Sequence, residues 1–550
     1  MNNKSNDEDD AGKSTCQDAS VKPTDQQTYF SDEKVPIPDV PGDGFSFKKL
    51  WAFTGPGFLM SIAYLDPGNI QSDLKSGITA NYKLLWVLMS ATILGLIMQR
   101  LSTRLGVVTG VHLAEMCYIQ YKKLPRFILW IMIEIAIIGS DMQEVIGTAI
   151  ALYLLSFGYI PLTIGVIITV LDTFTFLLLD KYGLRKLEII FGFLITLMGV
   201  SFGYQYFKDI PPQSDVFSGM FMPWKSEYDG SSVKRAVEIV GAVIMPHNLY
   251  LHSALVKSRA IDRSKSKNIK EANKYFFTES SIALFISFII NVFVVAVFAN
   301  GLYGKNESFA FETCAMSGNE NYNNIFTNSS TPLDEIGNIY NGGIYLGCKF
   351  GVIAMYIWGI GILAAGQSST MTGTYAGQFA MEGFLNLKWP RWKRILLTRC
   401  IAIIPAIFIA FSLSIGDFSD VSDLLNGVMS LQLPFATIPV IAFTSSHHIM
   451  GNFKNGLLNK IVTTALSGVV IAINIYFVIS TAQKYVNGFF SYFIVGLFAI
   501  LYITFCIYLI IHMAISMGAT YLLKFKIIEK YVGSPIELQS TLENNSIVLK

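Results

Sequence analysis

The sequence predicts an all-α polytopic membrane protein of about twelve transmembrane helices, with two inverted five-helix repeats followed by two further helices. Three observations predict this fold class. The 550 residues are 52% hydrophobic and 15% charged, with a mean hydropathy of +0.46, which excludes an ordinary soluble enzyme. Apolar runs of about 20 residues, long enough to cross a bilayer, recur along the chain. The first and the sixth of these runs are each interrupted by proline.

The predicted spans lie between residues 51 and 518, at 51–76, 84–105, 127–155, 159–179, 187–207, 234–257, 276–300, 344–370, 395–414, 424–443, 461–481 and 489–518. Residues 1–45 are rich in Asp, Ser, Lys and Gln and lack a signal peptide, so we expect a disordered cytosolic tail. The remaining units are the first repeat (46–207), an outer loop (208–233), the second repeat (234–443), the last two spans (444–518) and a cytosolic C-terminal tail (519–550).

Charge predicts the orientation of these spans. Lys and Arg are concentrated in alternate connections, namely 100–126, 181–186, 257–274 and 388–394, and the positive-inside rule places those connections in the cytosol. The connection 301–343 then lies outside, where sequons predict glycans on Asn306 and Asn328. Cys314 and Cys348 lie in or beside this loop, and geometry decides whether they pair. The net charge of +2 gives no reason to expect nucleic-acid binding.

The first interrupted span contains the sequence LDPGN. Pro67 has no N–H and its ring collides with the carbonyl of Ala63, so the helix should break there and leave that carbonyl without a donor. Asp66 precedes the proline and should lie in the unwound stretch. An ionised carboxylate in a span is costly and marks a functional site.

The second interruption contains the sequence MPHN. Pro246 frees the carbonyl of Ala242 in the same way, and Met245 should leave the helix. Each proline alone could be only a packing kink. One break in the first helix of each inverted repeat instead predicts that the two breaks face each other and form a binding site at mid-membrane.

The groups at the two breaks favour a transition-metal ion. They are the carboxylate of Asp66, the amide oxygen of Asn69, the thioether of Met245 and the carbonyls of Ala63 and Ala242. Calcium and magnesium sites use oxygen throughout, whereas a soft thioether favours later metals such as Fe²⁺ and Mn²⁺. Met245 could instead fill a gap in the core, but its place beside the break favours a ligand.

Acidic residues in the third span predict a proton path. Glu134, Asp141 and Glu144 are spaced by seven and three residues, so they share one helical face. A buried ion-pair network is the alternative. His247 and His252 follow the second break and could tune transport with pH, but their spacing of five puts them on different faces, which argues against one shared metal site.

Several motifs resemble the natural resistance-associated macrophage protein (Nramp) family of proton-coupled divalent metal transporters. From about residue 45 to the last span, they are LDPGN, SDMQEVIG, DKYGLRKLE, MPHN, HSALVKSR, GQSSTMTGTYAGQF and SLQLPFA. The resemblance implies the fold of sodium-coupled amino-acid transporters. It also implies metal binding at Asp66, Asn69 and Met245, with carbonyls from Ala63 and Ala242 and, in some conformations, Gln432.

The resemblance further implies that Asp141 and Glu144 receive protons from Asp66, with Arg259 and Arg399 as basic partners toward the cytosol. We therefore expect a symporter, not an enzyme, that carries divalent metal ions into the cytosol with protons by alternating access, without a resident cofactor. The sequence does not rank iron, manganese, cobalt, zinc and cadmium, nor does it decide between the plasma membrane and endosomes.

A sodium-coupled carrier of amino acids or other small molecules is the main alternative, although Asp66 would repel a substrate carboxylate. A channel and an intramembrane protease lack their expected motifs.

Overall fold

The computed structural model describes residues 34–38, 44–179, 184–317, 326–386, 417–485 and 488–537, with scattered positions between 393 and 408. Over these residues the secondary structure is helical, with two isolated backbone bridges and no sheet.

The described helices up to residue 255 include both predicted breaks. They are α1 (Phe47–Phe53), α2 (Pro56–Ile62), α3 (Pro67–Ala80), α4 (Leu85–Thr109), α5 (Leu113–Gln120), α6 (Lys123–Leu155), α7 (Leu162–Leu179), α8 (Leu184–Lys208), α9 (Gln213–Phe221), α10 (Gly230–Val243) and α11 (Pro246–Leu255).

The later described helices are α12 (Ser266–Leu302), α13 (Glu307–Met316), α14 (Leu333–Ile336), α15 (Ile339–Phe350), α16 (Val352–Leu385), α17 (Asp417–Gln432), α18 (Pro434–Ser445), α19 (His447–Met450), α20 (Leu457–Tyr485), α21 (Phe489–Ser516) and α22 (Lys526–Tyr531).

Among the described residues, eight helices are long and apolar enough to cross a membrane. They coincide with the predicted segments two, five to eight and ten to twelve. Helices also cover segments three and four, as α6 and α7, and the broken segment one, as α2 and α3. The ninth predicted segment, 395–414, lies almost wholly outside the described residues.

Two predicted spans are divided in the structure. The eighth segment was expected to begin at residue 344, but α15 ends at Phe350 and the long helix α16 begins at Val352. Gly351 separates them with a φ of 95°, a conformation that favours glycine. The tenth segment is divided after Gln432, because Pro434 starts a new helix.

The two broken helices pack beside each other. Helix α2 contacts α11 and α3 contacts α10, so each half of one break lies against a half of the other. Helix α12 packs along both α2 and α3, and α6 packs on α3 and α16. This arrangement places both breaks inside the helix bundle.

Close contact between α3 and α6 depends on Gly147. A Cβ atom at this glycine would lie 2.7 Å from Pro67 Cγ, which is too close for unstrained packing. We expect Gly147→Ala to lower the free energy of unfolding by about 1–3 kcal/mol, measured by thermal unfolding of the purified protein in detergent. Gly192→Ala is the matched control, because nothing lies within 4 Å of a Cβ there. Equal stability of the two variants would contradict the prediction.

A disulfide bond closes the connection 301–343. Cys314 of α13 and Cys348 of α15 are bonded, with Cα atoms 4.7 Å apart, which resolves the open question of their pairing. Asn306, at the N-cap of α13, and Asn328 are both exposed, so the two sequon asparagines are accessible.

The first described residues are attached to the connection after α11. Val35 N donates to the Ser258 carbonyl at 2.9 Å, and Ala260 N donates to the Val35 carbonyl at 3.0 Å. At the other end of the chain, Ile536 exchanges two hydrogen bonds with the side-chain amide of Gln120.

Candidate functional site

Both helix breaks occur at the predicted residues. Asp66 and Met245 are the N-caps of α3 and α11, and both have extended backbone conformations. Pro67 and Pro246 each occupy the first helical position, where a missing N–H has no cost to the helix that follows.

The prolines leave carbonyl groups without their usual helical donors. Pro67 and Pro246 have no N–H to offer to Ala63 and Ala242, and no other backbone N–H among the described residues bonds to these two carbonyls. Both residues are buried. The breaks therefore present unused carbonyl oxygens in the interior of the bundle.

Asp66 and Asn69 are hydrogen-bonded to each other at the first break. Asp66 Oδ1 accepts hydrogen bonds from Asn69 N at 2.8 Å and Asn69 Nδ2 at 2.6 Å. The remaining oxygens, Asp66 Oδ2 and Asn69 Oδ1, have no hydrogen-bond partner among the described residues, although the residues are only 0% and 1% exposed. Buried polar atoms are costly to leave unsatisfied, so this pair is suited to a cation.

Met245 connects the second break to the third predicted span. Its side chain is buried, and the Ser140 hydroxyl lies 3.9 Å from the sulfur. The same hydroxyl lies 3.0 Å from Glu144 Oε1. Met245 and Glu144 are thus separated by one serine side chain.

Asp141 and Glu144 converge on α16. The hydroxyl of Ser369 donates to Glu144 Oε1 at 2.6 Å. At Gly373, a Cβ atom would lie 2.5 Å from Asp141 Oδ1 and 3.6 Å from Glu144 Oε1. The absence of a side chain at Gly373 leaves room for both carboxylates.

Three of the predicted proton-path residues lie apart from this pair. Glu134 accepts a hydrogen bond from Trp130 Nε1, one turn away on its own helix, at 2.9 Å. His252 lies 2.6 Å from Gln99 Oε1, between α11 and α4. Arg259 lies at the other end of α11, and Arg399 lies outside the described residues.

Two further predicted residues have unsatisfied buried atoms. His247 Nδ1 and Gln432 Oε1 have no hydrogen-bond partner in the described part of the chain. Gln432 is the last residue of α17, just before the unpredicted interruption at Pro434. Its position differs from those of Asp66 and Met245, which are N-caps of the helices that follow the breaks, because Leu433 is the N-cap of α18.

Arg259 belongs to a set of contacts around the start of α2, which we call the inner cluster: Arg259, Glu188, Glu279 and the backbone of residues 54–57. Arg259 Nη2 donates to the Thr54 carbonyl at 2.6 Å and to Glu188 Oε1 at 2.8 Å. Glu279 Oε1 accepts from the backbone N–H groups of Gly55 and Gly57. These contacts fix the end of α2 that is predicted to face the cytosol.

Sequence reasoning missed a second set of charges, the outer cluster, formed by Lys75, Arg235, Glu238 and Asp423. Asp423 Oδ2 binds Lys75 Nζ and Arg235 Nη1, each at 2.7 Å. Arg235 also binds Glu238 Oε2 at 2.6 Å. The cluster ties α3, α10 and α17 together, and charged residues within apolar spans were the available signal.

A cluster of acidic, histidine and cysteine ligands is absent. No group of three or more such side chains able to hold a metal occurs within the described ranges. A metal ion at the breaks would therefore need the mixed set of carboxylate, amide, thioether and carbonyl donors.

Comparison with known proteins agrees with this architecture. Residues 57–480 match the family model described as natural resistance-associated macrophage protein-like. Protein Malvolio of Drosophila melanogaster is 62% identical over 519 residues, which cover 93% of this chain and 87% of that protein.

Solved structures show the same fold. A crystal structure of the Eremococcus coleocola manganese transporter superposes with a TM-score of 0.74 at 30% identity, covering 88% of this chain and 98% of that one. The transporter Mhp1, in a closed conformation, has a TM-score of 0.56 at 11% identity over 94% and 97% of the chains, a likeness of fold alone. The predicted fold class is confirmed, and the chain belongs to the Nramp family.

Proposed function

We propose that this chain is a multi-pass secondary transporter that moves divalent transition-metal ions, including Fe²⁺ and Mn²⁺, into the cytosol together with protons. The observation that carries the proposal is the pair of buried, unsatisfied oxygens, Asp66 Oδ2 and Asn69 Oδ1, at a helix break beside a second break. The 30% identical relative of known structure is named as a manganese transporter.

The donor set explains the choice of metal. Asp66 supplies the negative charge, Asn69 an amide oxygen, Met245 a soft sulfur, and Ala63 and Ala242 carbonyl oxygens. The sulfur disfavours calcium and magnesium, which bind oxygen, and favours later divalent metals. Gln432, with its unsatisfied Oε1, completes the set when α17 and α18 move toward the breaks.

The acids of α6 supply the proton coupling in this proposal. Because metal ligands must be deprotonated, metal binding at Asp66 releases a proton. Asp141 and Glu144 are the nearest acids along the Met245 and Ser140 contacts, so they are the first acceptors, with His247 tuning the step. Glu134, Arg259 and Arg399 lie further along the route.

The two clusters support alternating access as the transport mechanism. The outer cluster joins α3, α10 and α17 on the predicted outer side, and the inner cluster holds α2 on the predicted cytosolic side. Both sets of contacts are formed in the structure, as an occluded state requires. Metal binding and release then need one cluster to separate while the other stays closed.

Both termini are placed in the cytosol by the same proposal. Val35 is attached beside the Lys- and Arg-rich connection 257–274, and Ile536 to Gln120 in the connection 100–126. Both attachment points therefore lie on the positively charged side. The membrane is then the plasma membrane or the endosomal membrane.

Uptake by proteoliposomes containing the purified chain tests the proposal. Radioactive Mn²⁺ and Fe²⁺ uptake should be faster with the outside at about pH 5.5 than at about pH 7.4, and replacing sodium with choline should not change it. Uptake that requires sodium and ignores pH would favour a sodium-coupled carrier instead.

Met245→Ala should change selectivity more than activity. We expect the variant to keep Mn²⁺ uptake but to lose discrimination against Ca²⁺ by about tenfold, which is about 1.4 kcal/mol. Competition of Ca²⁺ with Mn²⁺ uptake measures the effect. Met355→Ala, which removes a buried methionine far from the breaks, is the control, and the same loss in both variants would contradict a ligand role.

A further inference from the structure

We propose that Asp73 is a second cation-binding carboxylate, which holds a divalent metal ion transiently on its way from outside to Asp66. The proposal rests on the metal transport proposed above. It assigns a role to a buried acid that the mechanism has not used.

Asp73 lies on the metal-facing side of α3. Asn69 and Asp73 are four residues apart in this helix, so they occupy the same face, about 6 Å apart along the axis. Asp66, which hydrogen-bonds to Asn69, lies about one further turn toward the N-terminal end of α3. The three side chains therefore form a row that leads outward from the break.

Asp73 has no structural partner within the described ranges. Its side chain is 1% exposed, yet Oδ2 has no hydrogen-bond donor, and no salt bridge joins it to another described residue. An ionised carboxylate in such surroundings is very costly unless a cation or a proton compensates it.

The other buried acids of the bundle show the contrast. Asp423 binds Lys75 and Arg235, and Glu238 binds Arg235. Glu279 accepts two backbone N–H groups. These acids thus have donors, whereas Asp73 has none among the described residues.

The neighbours of Asp73 do not compensate its charge. Lys75 is two residues away and points to another face, where Asp423 holds its ammonium group. The face of Asp73 continues to Gly77, which packs on the α12 backbone at Val295. One turn earlier on α12, Asn291 Oδ1 is buried and has no hydrogen-bond partner in the described part of the chain.

The position of Asp73 fits a transient site. Along the axis of α3 it lies between Lys75 of the outer cluster and the helix break, so in this proposal a cation admitted by the opening of the outer cluster reaches Asp73 before Asp66. A single carboxylate with waters binds a divalent ion weakly. Transport requires such weak binding, because the ion must leave for the next site.

Asp73→Asn tests the proposal, because it removes the charge and keeps the shape. In proteoliposomes with full-length protein, we expect the KM for external Mn²⁺ to rise about tenfold, with kcat and the pH profile of uptake unchanged. Asp73→Glu should restore most of the affinity. Ser72→Ala, on a neighbouring face of the same helix, is the control and should leave KM unchanged.

Other outcomes would overturn the proposal. A shifted pH profile with an unchanged KM would make Asp73 a proton carrier, and no change in either would make it a structural acid. Failure of the wild type to take up metal would instead overturn the proposed function.

Direct binding gives a second readout. In an Asp66→Asn background, isothermal titration with Cd²⁺ should show weak residual binding that the additional Asp73→Asn substitution removes. Thermal unfolding of each variant checks that it is folded. Identical residual binding with and without Asp73 would overturn the proposal.

Discussion

Asp66→Asn is expected to reduce Mn²⁺ uptake by about 100-fold or more. Asp66 is the only carboxylate in the donor set at the breaks, and removing the charged partner of a buried ion costs about 3–5 kcal/mol. The amide can still accept a hydrogen bond from Asn69 through its oxygen, so the local backbone should be preserved. Initial rates of radioactive Mn²⁺ uptake, normalised to the protein in the membrane, measure the effect.

Asp262→Asn controls for the removal of a negative charge. Asp262 lies in the connection after α11 and bonds only to nearby Ser264 and Lys265 within the described residues. We expect this variant to transport like the wild type. If Asp66→Asn also kept most of the wild-type rate, the breaks would not be the metal site.

Asp423→Ala is expected to destabilise the protein by about 3–5 kcal/mol. The substitution leaves Lys75, which is 1% exposed, without a partner, and leaves Arg235 with Glu238 alone. Thermal unfolding of the purified protein in detergent measures the loss. The double variant Lys75→Met/Asp423→Ala should be more stable than Asp423→Ala, because it removes the unpaired cation.

Asp420→Ala is the matched control for this effect. Asp420 lies one turn earlier on α17 and is exposed, so its removal should change stability little. Equal unfolding temperatures for Asp420→Ala and Asp423→Ala would show that the outer cluster does not stabilise the structure.

The helix breaks were predictable because their causes are local. Pro67 and Pro246 each remove a helical donor and displace the residue before them, so Asp66 and Met245 could be placed outside the helices without knowledge of the fold. Proline alone was not sufficient at the tenth span, because Leu433 before Pro434 keeps a helical conformation and Pro439 lies inside α18. The interruption after Gln432 was therefore not predicted.

The outer cluster could not be predicted, because its members come from distant parts of the chain. Arg235 and Glu238 are three residues apart and visible as a pair, but Lys75 and Asp423 are 348 residues apart in sequence. Only packing of α3, α10 and α17 brings them together. The pairing of Cys314 with Cys348 was open for the same reason.

The three acids of α6 do not lie together in the structure, although they were predicted to share one helical face. A spacing of seven residues keeps Glu134 on the face of Asp141 but separates them by about 10 Å along the axis. Trp130, four residues before Glu134, then supplies its hydrogen bond. Periodicity predicts which face a side chain occupies, and neighbours decide which partner it binds.

The attachment of Val35 depends on its main chain. The two hydrogen bonds to Ser258 and Ala260 use the N–H and C=O of Val35, which every amino acid except proline can provide. Substitutions at this position can therefore accumulate without detaching the tail. Proline is the exception, because it would remove the N–H that donates to the Ser258 carbonyl.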